Sequence, residues 1–241
     1  MNHVIRHFHW TAKRNWGDLL GPILLRYFSQ IETILSSPEN ADMVSVGSII
    51  DLLPSTYSGY ILGSGKLRGS HIKVPNSAKI LALRGPLSAQ GIHKDIALGD
   101  PALLADEMVG PVDKLYNLCL VAHWSDRNLY KRAELLKYNP VLINPLDDPI
   151  NIIKTIGQSR KVVTSSLHGM IVADAFGIPR RFEMTPQLGK EGGLFKFLDY
   201  NLAVGVRNFE PGKLIEPSRF RVNDRKHELY DVYRDASRLK I

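Results

Sequence analysis

The chain has 241 residues, 44% hydrophobic and 23% charged, which leaves room for a sizeable core and excludes disordered, collagen-like and fibrous classes. Lys and Arg number 31 against 24 Asp and Glu, a formal charge of +7 that suits an anionic small substrate, an anionic membrane surface or nucleic acid. No helix-turn-helix, zinc-finger or RNA-recognition signature is present, so nucleic acid is not the expected partner.

Short apolar runs alternate with helical patterns, which predicts an α/β protein with parallel sheets flanked by helices. The segment Met1 to His9 lacks the apolar stretch of a signal peptide, and Val4 to Phe8 reads as a first strand. The loop Asn15-Trp-Gly-Asp18 opens a helix whose Leu19, Leu20, Ile23, Leu24 and Tyr27 follow helical spacing, with Asp18 as its cap. Met43 to Val46 reads as a strand ending in Gly47-Ser48, before a helix through Ile49 to Leu53. Tyr60 to Leu62 leads into Gly63-Ser-Gly65, and Ile80 to Leu83 into Arg84-Gly-Pro86 and a helix over Leu87 to Gly91. Ile96 to Leu98 ends in Gly99-Asp100-Pro101. These strands finish in small residues or sharp turns at the carboxyl edge, where open α/β sheets bind ligands.

Residues 106–114 read as a linker, dividing a first domain (1–110) from a second (115–205). In the second, Leu118 to Ala122 is a strand holding the lone cysteine, Cys119, which has no disulfide partner and reads as inert. A polar helix over Leu129 to Tyr138, a strand over Val141 to Ile143 and a helix over Pro149 to Gly157 follow. Lys161 to Thr164 is the next strand, and the helix Gly169 to Phe176 stops at Gly177. The tail, 206–241, carries a charged helix over Asp224 to Leu239 that packs back on the first domain. No segment approaches the ~20 apolar residues of a membrane span, and the expected compartment is the cytoplasm.

The stretch Val163-Thr-Ser-Ser-Leu-His-Gly-Met170 brings two serines and a histidine onto the first turn of a helix. Free amides and the helix dipole there favour a phosphate or carboxylate; Gly169 lets a ligand approach, and the dipole holds the pKa of His168 near the range useful for proton transfer. Capping by Ser165 or Ser166, with His168 filling a polar edge of the core, accounts for the stretch equally well. Arg84 stands where its planar fork suits a carboxylate or phosphate, or a surface ion pair beside a turn. Asp18 and Asp100 can each hold or deprotonate a sugar hydroxyl, though a turn or cap is the commoner use of either. The eight histidines show no metal-ligand spacing, and neither a Walker loop nor a Gly-x-Gly-x-x-Gly fingerprint is present.

Taken together, Asn15-Trp-Gly-Asp18, Arg84-Gly-Pro-Leu-Ser88, Gly99-Asp-Pro-Ala-Leu103 and Ser165-Ser-Leu-His-Gly169, followed by Ala173 and Phe176-Gly-Ile-Pro179, resemble the polysaccharide pyruvyltransferases over residues 13–200. The resemblance implies two Rossmann-like domains in a GT-B-like arrangement with an interdomain cleft. It also implies phosphoenolpyruvate as donor substrate, no further cofactor and no metal, and a sugar acceptor of a surface polysaccharide or exopolysaccharide. By position, Arg84 and His168 correspond to residues engaging the donor, joined by Lys190 or Lys196 and by the amides from Ser165 and Ser166 to Gly169. His168 is then the candidate acid, Asp18 or Asp100 the candidate base, and Asn15 with Asp18 the acceptor side. An acceptor on a lipid carrier would bring the protein to the inner membrane face, where positive charge helps. A GT-B glycosyltransferase using a nucleotide sugar, and a non-catalytic sugar- or anion-binding protein, are the alternatives.

Overall fold

The computed structural model describes residues 3–69, 71–125, 127–190 and 193–239. Strands β1 (His3–Phe8), β2 (Ile31–Leu35), β3 (Met43–Val44), β4 (Tyr60–Leu62), β5 (Lys79–Leu83) and β6 (Ala97–Leu98) form one parallel sheet in the order β2-β1-β3-β4-β5-β6. Its central strands are covered on both faces, which is why they read as unbroken apolar runs: Met43, Val44, Ile61, Leu62, Ala82 and Leu83 are all buried. Helix α1 (Leu20–Ser29) buries Leu20, Leu24 and Leu25 and closes on Gln30, whose left-handed backbone (φ 55°) returns its N–H to Arg26 and Leu25.

The second sheet holds β7 (Cys119–Val121), β8 (Val141–Ile143), β9 (Val162–Thr164), β10 (Arg180–Phe182) and β11 (Leu214–Ile215) in the order β11-β10-β9-β7-β8, with only β11 antiparallel. Around the sheets lie α2 (Ala105–Val109), α3 (Ala133–Leu136), α4 (Pro149–Gly157), α5 (Leu167–Ala175), α6 (Pro186–Lys190), α7 (Phe195–Ala203) and α8 (Arg219–Ala236). Burial pushes the Cys119 thiol up to about 12, so it stays protonated. Among the described residues no helix is long and apolar enough to cross a membrane.

Several local expectations change. Leu87 to Gly91 is a run of turns rather than a helix, because the amides of Leu87 and Ser88 donate to the Asp199 carboxylate. Ile50–Leu52 is a single 3₁₀ turn. The helix expected over Leu129 to Tyr138 breaks at Arg132, whose ψ of 105° separates a 3₁₀ turn from α3. The expected linker begins inside α2, and the second sheet reaches Leu214–Ile215, past residue 205. Helix α8 starts at Arg219 and lies on the first half: Ser29 Oγ donates to the Tyr233 carbonyl (2.5 Å) and Leu98 N to Glu228 Oε2 (3.4 Å).

A single apolar cluster runs from Ile5, Leu20 and Leu62 beneath the first sheet to Val121, Val162 and Phe197 at the second. In the first sheet β1 sits between β2 and β3, and in the second β7 sits between β8 and β9. Each is a topological switch point, the place where α/β sheets leave a crevice beyond their strand ends.

Candidate active site

The two switch points open on one cleft of about 390 Å³. From the first sheet come Trp10, beyond β1, and Ser48 and Ile49, beyond β3. The second contributes Ala122 to Trp124, beyond β7, and Ser166 to His168, beyond β9. Asn15, Trp16 and Asp18 reach in from the loop before α1, and Lys196 from the first turn of α7. The loop is tied across the cleft, since Trp16 N donates to the Pro145 carbonyl at 3.1 Å.

Buried β9 delivers the head of α5. Thr164 Oγ1 accepts from Ser166 N at 2.9 Å, and Ser166, in extended backbone, caps the helix by accepting from Gly169 N at 3.4 Å. Met170 N donates to the Ser166 carbonyl, which leaves Leu167 and His168, both lining the cleft, as first-turn amides for which the helix supplies no acceptor. Ser165 is turned inward and its Oγ accepts from His123 N at 2.9 Å. Gly169 also faces inward: an added Cβ would lie 2.5 Å from Thr164 Oγ1 and 2.8 Å from Val121 Cγ1, so packing on the sheet, rather than ligand approach, requires glycine there.

The close approach at the cleft belongs to Gly17. A Cβ on it would fall 1.9 Å from His168 Nδ1, so the loop lies flat against the imidazole, while the Trp16 ring meets it edge-on at 6.1 Å. His168 Nε2 is buried with no hydrogen-bond partner in the protein. Burial first, then the charges of Lys196 and Arg84, lowers the His168 pKa to about 3, below the range expected from the dipole alone. The imidazole is therefore neutral at physiological pH. Asp18 moves the other way, pushed up to about 6 by burial against the opposing effects of Asn15 and Lys196. Asn15 Nδ2 donates to Asp18 Oδ2, and Asp18 N returns a bond to Asn15 Oδ1 at 3.2 Å. A carboxyl and an imidazole driven in opposite directions within one cleft are the raw material of acid–base chemistry.

The family model for polysaccharide pyruvyl transferase matches residues 15–181, from Asn15 in the cleft loop to Arg181 in β10. The chain belongs to the polysaccharide pyruvyl transferase family. It is 30% identical over 195 residues to the succinoglycan biosynthesis protein ExoV of Rhizobium meliloti, covering 73% of this chain and 58% of ExoV. It thus spans less than two thirds of that relative. An uncharacterized protein of Acanthamoeba polyphaga mimivirus is 28% identical over 221 residues, covering 83% of this chain and 75% of the viral protein. A crystal structure of an uncharacterized protein from Klebsiella pneumoniae is 17% identical and covers 86% of this chain and 90% of its own, with a TM-score of 0.48.

In this member of the family, Arg84 stands behind the cleft wall, fully buried. Its Nε and Nη2 each lie 3.0 Å from Asp199 Oδ2, while Nη1 donates to Ser48 Oγ at 2.5 Å and Nη2 to the Lys66 carbonyl at 2.6 Å. The fork expected to grip a donor is thus filled by an internal carboxylate. Leu87 N and Ser88 N donate to Asp199 Oδ1 at 2.9 Å, and Ser88 Oγ to Oδ2 at 2.6 Å. A Cβ on Gly85 would fall 2.1 Å from the Asp199 carbonyl oxygen. Arg84-Gly-Pro-Leu-Ser88 is a socket for Asp199, one helical turn beyond Lys196, and so fixes the helix that presents that lysine.

Asp100 is also fully buried and caps the turn Pro101–Leu104 by accepting from Ala102 N at 3.0 Å. Burial raises it to about 6, but it does not line the cleft. Lys196 is at the cleft; the side chain of Lys190 lies outside the described residues. Asn15, Asp18, Ser166, His168 and Lys196 are therefore brought together, while Arg84, Asp100, Ser165 and Gly169 support them from behind. Sequence reasoning missed Trp10, Ser48, Arg68 and Trp124, all lining the cleft. Three of these follow closely on strand ends, and that position was the available signal.

Proposed function

We propose that this cleft transfers a pyruvyl group from phosphoenolpyruvate to two hydroxyls of a polysaccharide sugar, closing a cyclic ketal. The observation that carries this reading is the meeting of His168, Lys196 and the capped head of α5 with Asn15 and Asp18 in one cleft. Lys196 and the amides of Leu167 and His168 offer positive potential to the donor's phosphate and carboxylate. An anion beside His168 favours the imidazolium, so donor binding protonates the imidazole that burial otherwise keeps neutral. That proton passes to the methylene carbon, C2 takes on oxocarbenium character, and one sugar hydroxyl adds to it. Asp18, ionised above about pH 6, accepts the hydroxyl proton. The second hydroxyl then bonds to C2 as the C2–O bond to phosphate breaks, with Lys196 and the helix amides stabilising the departing phosphate. Overall the two hydroxyl protons balance the one gained by the methylene carbon and the one carried off by phosphate. A lipid-linked acceptor would bring the chain to the inner membrane face, where its +7 charge assists.

The test pairs binding with turnover. Phosphoenolpyruvate should raise the unfolding temperature, since a ligand of the native state alone stabilises by mass action. His168→Gln should retain that shift while phosphate release falls by about 10²-fold or more. Stabilisation by nucleotide sugars with none from phosphoenolpyruvate would replace this reading with glycosyl transfer.

A further inference from the structure

The chain has three tryptophans, and all of them, Trp10, Trp16 and Trp124, line this cleft. Trp16 is only 2% exposed and is engaged with His168. Trp10 and Trp124 are partly exposed and come from opposite sheets, one beyond β1 and the other beyond β7. The same cleft holds Asp51 and the exposed Arg68. Asp51 Oδ1 accepts from Leu67 N at 3.0 Å, but Oδ2 is buried without a hydrogen-bond partner. A buried carboxylate oxygen left unsatisfied is costly, and here it belongs to a residue of a ligand-sized cleft.

Large aromatic side chains lining the same cleft as a carboxylate oxygen that lacks a donor match a pyranose, whose C–H face is apolar and whose rim carries hydroxyl donors. A purely apolar ligand would leave Asp51 Oδ2 unsatisfied, whereas a neutral hydroxyl supplies the donor that it lacks. We infer that Trp10, Trp124 and Asp51 form the acceptor subsite, in which a neutral pyranose stacks on the indoles and donates a hydroxyl to the Asp51 carboxylate, whose side chain turns to present Oδ2. The anionic donor is held in the same cleft by His168 and Lys196. The word acceptor rests on the pyruvyl-transfer reading; the binding of a sugar does not.

The probes are the methyl β-pyranosides of glucose, galactose and mannose, followed by saturation-transfer NMR on the intact chain. At least one should bind saturably, and Trp10→Ala, Trp124→Ala and Asp51→Asn should each weaken it by about tenfold. Trp124→Phe should recover part of the loss, and the thermal shift given by phosphoenolpyruvate should persist in every variant. If none of the three glycosides binds, or the variants bind as the parent does, the subsite is refuted. If the glycosides bind as expected and phosphoenolpyruvate neither stabilises nor reacts, the subsite stands and pyruvyl transfer falls. Stabilisation by phosphoenolpyruvate without any sugar binding refutes the subsite and leaves pyruvyl transfer standing.

Discussion

Removing the Asp199 carboxylate tests whether the Arg-Gly-Pro-Leu-Ser segment works as a socket. Arg84 and Asp199 are both fully buried, and breaking a buried ion pair from one side costs about 3–5 kcal/mol, because the remaining charge is stranded. Leu87 N, Ser88 N and Ser88 Oγ would also lose their acceptor, at about 1–3 kcal/mol for each donor that water does not reach. These losses overlap, so Asp199→Ala should cost about 4–7 kcal/mol, comparable to the entire 5–15 kcal/mol stability of a typical native protein. The informative variant is therefore Asp199→Asn, which keeps one acceptor oxygen and should lose about 3 kcal/mol. Urea unfolding followed by tryptophan emission measures this, and phosphoenolpyruvate titration of the folded variant measures the effect on Lys196. Affinity should fall along with stability, since the lysine sits one turn before the lost contact. An unchanged urea midpoint would refute the socket. A destabilised variant with undiminished donor affinity would show that the socket does not position Lys196.

Gly17→Ala places a Cβ where only 1.9 Å separates it from His168 Nδ1, so the ring must shift. Phosphate release should drop by about 10²-fold while thermal unfolding moves only modestly, and normal turnover would contradict the contact. Asp18 has its folded pKa raised from 3.8 to about 6, so the stability it contributes is full below the ordinary carboxylate value and lost as pH rises through 6. Asp18→Asn should therefore stabilise the protein by up to about 3 kcal/mol near pH 8, with no gain near pH 4, while turnover falls; the two unfolding curves check this. Buried His7, bonded to Ser45 Oγ at 2.9 Å, is lowered from 6.5 to about 3, so the stability it contributes is present above pH 6.5 and lost as pH falls toward 3. His7→Gln should flatten the acid limb of a pH–stability profile, and an unchanged limb would count against a buried neutral imidazole.

The parallel sheets were legible because buried strands leave unbroken apolar runs. Strand β2 was not: its pattern fades from buried Ile31 to exposed Ile34 and Leu35, as an edge strand's does. Strand β10 hid behind its charges, since Arg180 is buried with its Nε and Nη2 paired to Asp174 and Asn201. In the site, Asn15, Asp18, Ser166 and His168 stood out because loop and cap chemistry is local. Arg84 was misplaced for the complementary reason. Its partner Asp199 lies 115 residues away, and no local pattern distinguishes an arginine awaiting a ligand from one already holding a carboxylate. Asp51 was missed because its character depends on a single unpaired oxygen, which only a folded environment defines.

The continuous apolar core beneath both sheets also bears on motion. Swinging one half away from the other would expose side chains such as Val121, Val162 and Phe197, which share a cluster with Ile5 and Leu62, at roughly 25 cal/mol for each Å² uncovered. Wide opening and closing about a hinge is therefore expensive, and ligands must enter through the existing mouth by rearrangement of its side chains. Such a site gives up induced fit and gains a polar environment already oriented before the substrates arrive, with little reorganisation left for the reaction itself.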